Sequence, residues 1–274
     1  MHYFGALIFL NKASNLATTG IMTADEYLQR ILARERVDTG PLSLVRGVQT
    51  KVGPIIREWA GSQLISINPS GSFAKGTANR RGTDIDLFIS LSPQTSETLK
   101  EVYDKLFARM KDRGYSPKHQ NVSVSVRVDG YDVDLVPAKR QDAYSDDHSL
   151  YRRRADTWTK TNVIRHINHV VLSGRVNEIR LIKLWRDQKG LDFPSFYLEL
   201  SVIAALSGQY GGTLSANVWS VFEYLADSFF SRSIIDPANS NNIVSDDLSA
   251  VGKLNIKNSA AQARKAKMWD EIIT

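Results

Sequence analysis

Two aspartates one residue apart, Asp84 and Asp86, head the apolar run "LFISL" in "GSFAKGTANRRGTDIDLFISL". On a strand, residues i and i+2 leave by the same face, so both carboxylates project together while Ile85 enters the core. Like charges this close repel unless a cation sits between them. The same spacing returns in "YDVDLVP", where Asp132 and Asp134 flank Val133. A carboxylate on a neighbouring strand completes an oxygen cage of the kind Mg²⁺ takes. Asp134 is the preferred third acid because it lies in phase with "DLVPA". Upstream, Gly71 and Ser72 offer backbone N–H groups and a hydroxyl at an expected helix start, where anions bind. A phosphate cradle leading into paired acids is what metal-assisted phosphoryl chemistry requires. Alone, a glycine-serine turn or an Asp-x-Asp is an ordinary surface feature; the combination carries the reading.

The elements that must position these residues are legible in outline. "TADEYLQRILARE" predicts a helix capped by Thr23, with Tyr27, Ile31 and Leu32 on one face. A second helix is expected from Leu42 to Trp59, kinked or split at Pro54. "SQLISINPSG" predicts a strand ending in a turn, and "DIDLFISL" the strand that bears the acids. "SETLKEVYDKLFARMKDRG" predicts an amphipathic helix stopped by Gly114. "NVSVSVRV" alternates and is joined by Asp129-Gly130 to "YDVDLVPA", which predicts a β-hairpin. After about residue 158 the pattern reads as helical almost throughout. Helices are expected over "TNVIRHINHVVLSG", "RVNEIRLIKLWRDQKG", "PSFYLELSVIAALSGQYGG", "ANVWSVFEYLADSFF" and "AAQARKAKMWDEII", with "DPANSNNIVSDD" a polar loop.

Composition sets bounds. The 274 residues suffice for one large domain or two, and 42% hydrophobic with 23% charged content is that of a globular chain. No cysteine is present, which excludes disulfides and thiolate zinc sites and fits a cytoplasmic location. The net charge of +6 suits phosphate-rich partners but equally serves solubility. Arg152, Arg153, Arg154, Lys139 and Arg140 form only short basic clusters, and Arg80 and Arg81 read first as a wet loop. "YFGALIFL" is too short to span a bilayer, and no membrane association is expected. His166 and His169 could share a helix face, but no third ligand is evident.

"GSFAKGT…DIDL" followed by "VDLVPA" resembles the DNA polymerase β-like nucleotidyltransferase superfamily. Within it, the chain looks most like oligoadenylate synthetases and the bacterial cyclic-oligonucleotide synthases of anti-phage signalling, relatives of cyclic GMP-AMP synthase. "IRLIKLWRDQKGLDFPSFYLEL" and "DPANSNNIV" are similar to that family's helical-lobe segment and late asparagine-rich loop.

The resemblance implies an α+β fold: a polymerase β-like nucleotidyltransferase core, a small mixed sheet with flanking helices, plus a C-terminal helical lobe, with the active site in the cleft between. Residues 1–22 would be an N-terminal extension or arm, 23–158 the catalytic core and 159–274 the helical lobe. Gly71 and Ser72 would hold the donor triphosphate, and Asp84, Asp86 and Asp134 two Mg²⁺ ions, with Mn²⁺ as a substitute. Asp134 would also help deprotonate the acceptor ribose hydroxyl. Lys183 and Ser195 would reach the triphosphate, and Phe196 would stack on the base where relatives often place a tyrosine. Lys183 reads equally as a solvated helix lysine, and a core position is the lesser alternative for Phe196.

The implied substrates are nucleoside triphosphates, ATP among them. The implied product is a cyclic di- or trinucleotide second messenger, with pyrophosphate released. A regulatory protein or downstream effector is an implied partner, whereas nucleic acid is allowed but not required. Linear oligoadenylate synthesis, nucleotide addition to RNA, transfer to a protein or small molecule, and a catalytically dead binding module are the alternatives.

Overall fold

The computed structural model describes residues 22–38, 40, 43–80 and 84–274, without the side chains of residues 44 and 45. Residues 1–21 of the expected N-terminal arm, Leu42 at the expected start of the second helix, and Arg81 lie outside the described residues. The chain divides into two compact units. A sheet unit holds Val37–Leu172 and Asp236–Asn241; a helical unit holds the described residues up to Arg36, then Ser173–Ile235 and Asn242–Thr274.

The sheet unit contains helix α2 (Leu44–Ala60), strand β1 (Leu64–Pro69), a single turn α3 (Gly71–Ala74) and strand β2 (Ile85–Leu91). Then come α4 (Leu99–Asp112), β3 (Lys118–His119), β4 (Val124–Val128), β5 (Tyr131–Arg140), β6 (His148–Arg152), β7 (Thr157–Thr161) and α5 (Val163–Leu172). Among the described residues the sheet has seven strands, running β1-β2-β5-β4-β3, with β6 paired to β5 and β7. It is mixed: β2 and β5 are parallel, and the other pairs are antiparallel.

Alternation builds its core. Ile85, Leu87, Ile89 and Leu91 of β2, Val133 and Leu135 of β5, and Val124, Val126 and Val128 of β4 are buried on one face. Val48, Val52 and Ile56 of α2 and Val102, Leu106 and Met110 of α4 cover them. Each such side chain contributes about 1.5–3 kcal/mol on burial. On the opposite face a smaller cluster of Phe88, Ala138 and Leu150 covers only part of the surface.

Two expectations meet their mechanism here. Thr98 and Glu101 form a reciprocal capping box at the start of α4. Asp129 and Gly130, both at positive φ, make the two-residue turn that joins β4 to β5. Pro54 does not split α2, which runs unbroken from Leu44 to Ala60.

The helical unit contains α1 (Ala24–Arg34), α6 (Val176–Gln188), α7 (Ser195–Ala205), α8 (Leu214–Asp227) and α9 (Ala250–Ala263). Helix α1 is grouped with this unit, whereas its sequence position suggested the catalytic core. Three polar ties explain the grouping. Arg180 donates to the carbonyls of Leu32 and Glu35 at 3.0 and 2.9 Å, Tyr27 donates to Ile273 O at 2.9 Å, and Asp25 accepts from Ser215 N at 2.7 Å.

"HSLYRRRADTWTKT", for which the sequence carried no expectation, forms the β6–β7 hairpin. Two expectations are corrected. "DPANSNNIVSDD" is a second hairpin, β8 (Ile235–Asp236) with β9 (Asn239–Ile243), rather than a loop. Asp236 ties that hairpin: its Oδ1 accepts from Ala238 N at 2.8 Å and lies 2.7 Å from His166 Nε2. The closing helix ends at Ala263, before "KAKMWDEII", with Ser249 accepting from Gly252 N at its start.

Candidate active site

The parallel register of β2 and β5 pairs Ile85 with Val133 and Asp86 with Asp134. Paired residues on adjacent strands share a face, and neighbouring strands lie about 4.8 Å apart. Asp86 and Asp134 are therefore side by side on the face opposite the main core, each half-buried. Asp84 stands just before β2 on the same side and is exposed. Its carboxyl is pushed above the ordinary carboxylate value, first by lost hydration and then by the charges of Asp134 and Asp132. The crowding inferred from the two Asp-x-Asp motifs is thus present across the strands.

Gly71 explains its own residue type. It has φ +56°, and a Cβ built there would lie 1.7 Å from Asp86 Oδ2. No side chain fits, so the glycine lets the turn's backbone approach the carboxylate directly. The turn is fixed to β2 by Ser70 N donating to Asp86 O at 2.8 Å, and it closes on itself through Thr77 N donating to Ser72 O at 2.9 Å. The N–H groups of Gly71, Ser72 and Phe73 open the turn and have no acceptor within it, as at any helix start. Behind it, Ser70, Lys75, Thr77 and Asn79 are buried polar residues.

The neighbours across β4 separate the two candidate third acids. Asp132 is paired with Arg127, whereas Asp134 is paired with Ser125. Asp132 thus has a cation beside it on its own face, and Asp134 has a neutral hydroxyl. The sequence preferred Asp134 for its phase with "DLVPA"; the register adds an electrostatic reason.

The other expected residues belong to the helical unit. Lys183 is buried on α6, with Nζ 2.7 Å from Glu199 Oε1 of α7, and only 4% of the lysine is exposed. The helix-surface reading of Lys183 is corrected, because its ammonium sits in an ion pair inside this unit. Ser195 is exposed at the start of α7, and its Oγ accepts from Arg186 Nη1 at 2.8 Å. Phe196, the next residue, is half-buried. Arg186 was not singled out in the sequence; only its contact with Ser195 marks it.

Divalent ions are implied by the acid pairs, and the residues present suit them. The donors are carboxylates, which Mg²⁺ and Mn²⁺ take. The charge surplus that raises Asp84 is what a cation would relieve. As the side chains stand, no group of three acidic, histidine or cysteine residues among those described is arranged to hold an ion. His166 faces Asp236 without forming such a group, and burial holds the His169 imidazole below its ordinary value. No helix among the described residues is long and apolar enough to cross a membrane.

The family model of the nucleotidyltransferase domain matches residues 56–160, which span β1 to β7 and so include both acid pairs and the Gly71 turn. The chain thus carries a nucleotidyltransferase domain on a DNA polymerase β-like α+β fold, and it is an enzyme of that class. More particularly, it is 24% identical over 250 residues to the cyclic AMP-AMP-AMP synthase of Escherichia coli (strain MS 115-1), covering 82% of this chain and 78% of that protein. Its fold is similar to that of E. coli MS115-1 CdnC with ATP, with a TM-score of 0.73, 21% identity, and 90% and 92% of the two chains covered. The CdnC:HORMA-deltaN complex of the same organism gives a TM-score of 0.66 at 21% identity, covering 96% of this chain and 90% of that one.

Proposed function

We propose that this protein condenses nucleoside triphosphates, ATP among them, into a cyclic di- or trinucleotide second messenger and releases pyrophosphate. The observation that carries the chemistry is the meeting of Gly71, Asp86 and Asp134, a backbone turn pressed against one of two adjacent carboxylates. The likeness to a cyclic AMP-AMP-AMP synthase over most of the chain supports a cyclic product.

In this reading the turn at Gly71 and Ser72 binds the donor triphosphate through its N–H groups and the Ser72 hydroxyl. Asp84, Asp86 and Asp134 hold the divalent ions, which when bound neutralise phosphate charge and lower the pKa of the attacking hydroxyl. The acceptor ribose oxygen attacks the α-phosphorus, forming a new P–O bond. The bond to the β-phosphate oxygen breaks, and pyrophosphate leaves with the electron pair. Asp134 takes the hydroxyl proton. Phe196 offers a π face for a base. Lys183 could serve the triphosphate only by leaving Glu199, so a structural role for that lysine competes with the catalytic one.

A relative solved with a HORMA protein supports a regulatory protein as partner, and a role in anti-phage defence belongs to the same proposal. The test is incubation with the four nucleoside triphosphates and Mg²⁺, then phosphatase and mass spectrometry. Phosphatase-resistant products without free ends are expected. Linear products only would move the reading to oligonucleotide or RNA-tail synthesis, and no pyrophosphate at all would leave a binding module.

A further inference from the structure

Beyond the acids, the same sheet face carries two cations in register with them. The row through Asp86 continues to Asp134 on β5, Ser125 on β4 and Lys118 on β3. One step along, Asp132 on β5 pairs with Arg127 on β4. Side chains paired across strands share a face, so Lys118 and Arg127 belong to the face of Asp86 and Asp134. A neighbour confirms the facing of β3. His119 stacks on Phe107 of α4 at 3.9 Å between ring centroids, on the helix-covered side, which sends Lys118 to the other. Both cations are exposed, and the Arg127 guanidinium donates to Gly130 O at 3.1 Å.

The face therefore has a polarity. Acids occupy β2 and β5, and basic groups occupy β4 and β3, one and two strand spacings of about 4.8 Å beyond Asp134. A nucleotide whose hydroxyl lies at Asp134 has its own phosphate within that span. Gly71 and its turn lie on the β2 side, where Gly71 meets Asp86. The donor triphosphate and the basic strands thus fall on opposite sides of the acids.

We propose that Arg127 and Lys118 hold the phosphate of the acceptor nucleotide, making this a site selective for phosphorylated acceptors over nucleosides. The inference rests on the nucleotidyl-transfer reading. An ordinary alternative exists for Lys118, since an exposed lysine on an edge strand also discourages strand-to-strand association.

The test separates donor from acceptor. Dideoxy-ATP, which lacks an acceptor hydroxyl, serves as donor, and AMP or adenosine serves as acceptor. The wild type should prefer AMP. In the double variant Arg127→Gln with Lys118→Met, KM for AMP should rise roughly tenfold, the scale of a lost charge-assisted contact. KM for adenosine and for the donor should stay unchanged. Arg127→Lys with Lys118→Arg should restore most of the preference. An unchanged preference, or a rise in the donor KM alone, overturns the proposal. If the wild type transfers to neither AMP nor adenosine, pyrophosphate release from the four triphosphates decides whether the nucleotidyl-transfer reading has failed, and equilibrium binding of AMP decides the inference separately. Affinity roughly tenfold weaker in the variant supports it. Equal affinity, with or without aggregation of the variant, assigns the two cations to surface protection instead.

Discussion

Asp84 concentrates the conflict at the residue scale. Its carboxyl is held above the ordinary value, so the folded protein binds its proton more tightly than the unfolded chain does. This penalty is absent below the ordinary carboxylate range and grows as pH rises through the raised value. In metal-free buffer at pH 7, Asp84→Asn should therefore raise Tm, and the gain should vanish on acidification. Mg²⁺ or Mn²⁺ should raise the wild-type Tm and do so less for the variant; equal responses would remove Asp84 from the ion site. Asp84→Ala with Asp86→Ala should abolish turnover while circular dichroism stays native. Gly71→Ala should cost about 1–2 kcal/mol for the left-handed backbone alone, and it should lower kcat by displacing the Asp86 carboxylate. A variant of wild-type activity would refute the close approach. The Asp-x-Asp spacing was visible in the sequence. The contact that makes Gly71 obligatory was not, because it joins two segments through tertiary packing.

Elements hold these residues through two buried polar links. His148 on β6 is buried; its Nδ1 donates to Asp146 O at 2.8 Å and its Nε2 accepts from Ser90 Oγ at 2.8 Å. Ser90 lies on β2 in line with Asp86 and Phe88, and the imidazole stands edge-on to Phe88 at 4.9 Å. Burial pushes the His148 pKa below its ordinary 6.5. Its contribution to stability is therefore complete above that value and is lost as pH falls through the lowered one. Urea midpoints should drop between pH 7 and pH 5, and His148→Asn should flatten that loss; an unchanged slope would exclude this histidine. The second link is Lys183 with Glu199, between α6 and α7. Lys183→Met takes the ammonium away from a buried carboxylate and should cost about 3–5 kcal/mol, much of it recovered by adding Glu199→Leu. Neither link was legible in the sequence. A lysine on an amphipathic helix reads as solvated until its partner across the packing is known. The two missed hairpins have a similar cause, since "SLYRRRADTW" and "DPANSNN" lack strong alternation and gain strand geometry from pairing.

At the scale of the whole molecule, the chain forms two compact units connected at residues 36–37 and 172–173 and through the hairpin at 235–242. Calorimetry should resolve two transitions. Lys183→Met should lower only the one belonging to the helical unit, and His148→Asn only that of the sheet unit. A single transition moved equally by both would show that the units unfold as one. Expected function divides along the same line, with Asp84, Asp86, Asp134, Gly71 and Ser72 in one unit and Lys183, Ser195 and Phe196 in the other.

The sequence by itself determined the acid pairs, the glycine-serine turn and most helices, because these follow from local spacing, capping and periodicity. It also placed Asp134 ahead of Asp132, by phase. Tertiary structure alone decided which side chains meet: Asp86 beside Asp134, Gly71 against Asp86, Arg127 beside Asp132, and Lys183 inside an ion pair. Strand register is fixed by long-range packing of the apolar face, and no window of local sequence contains both partners of such a pair.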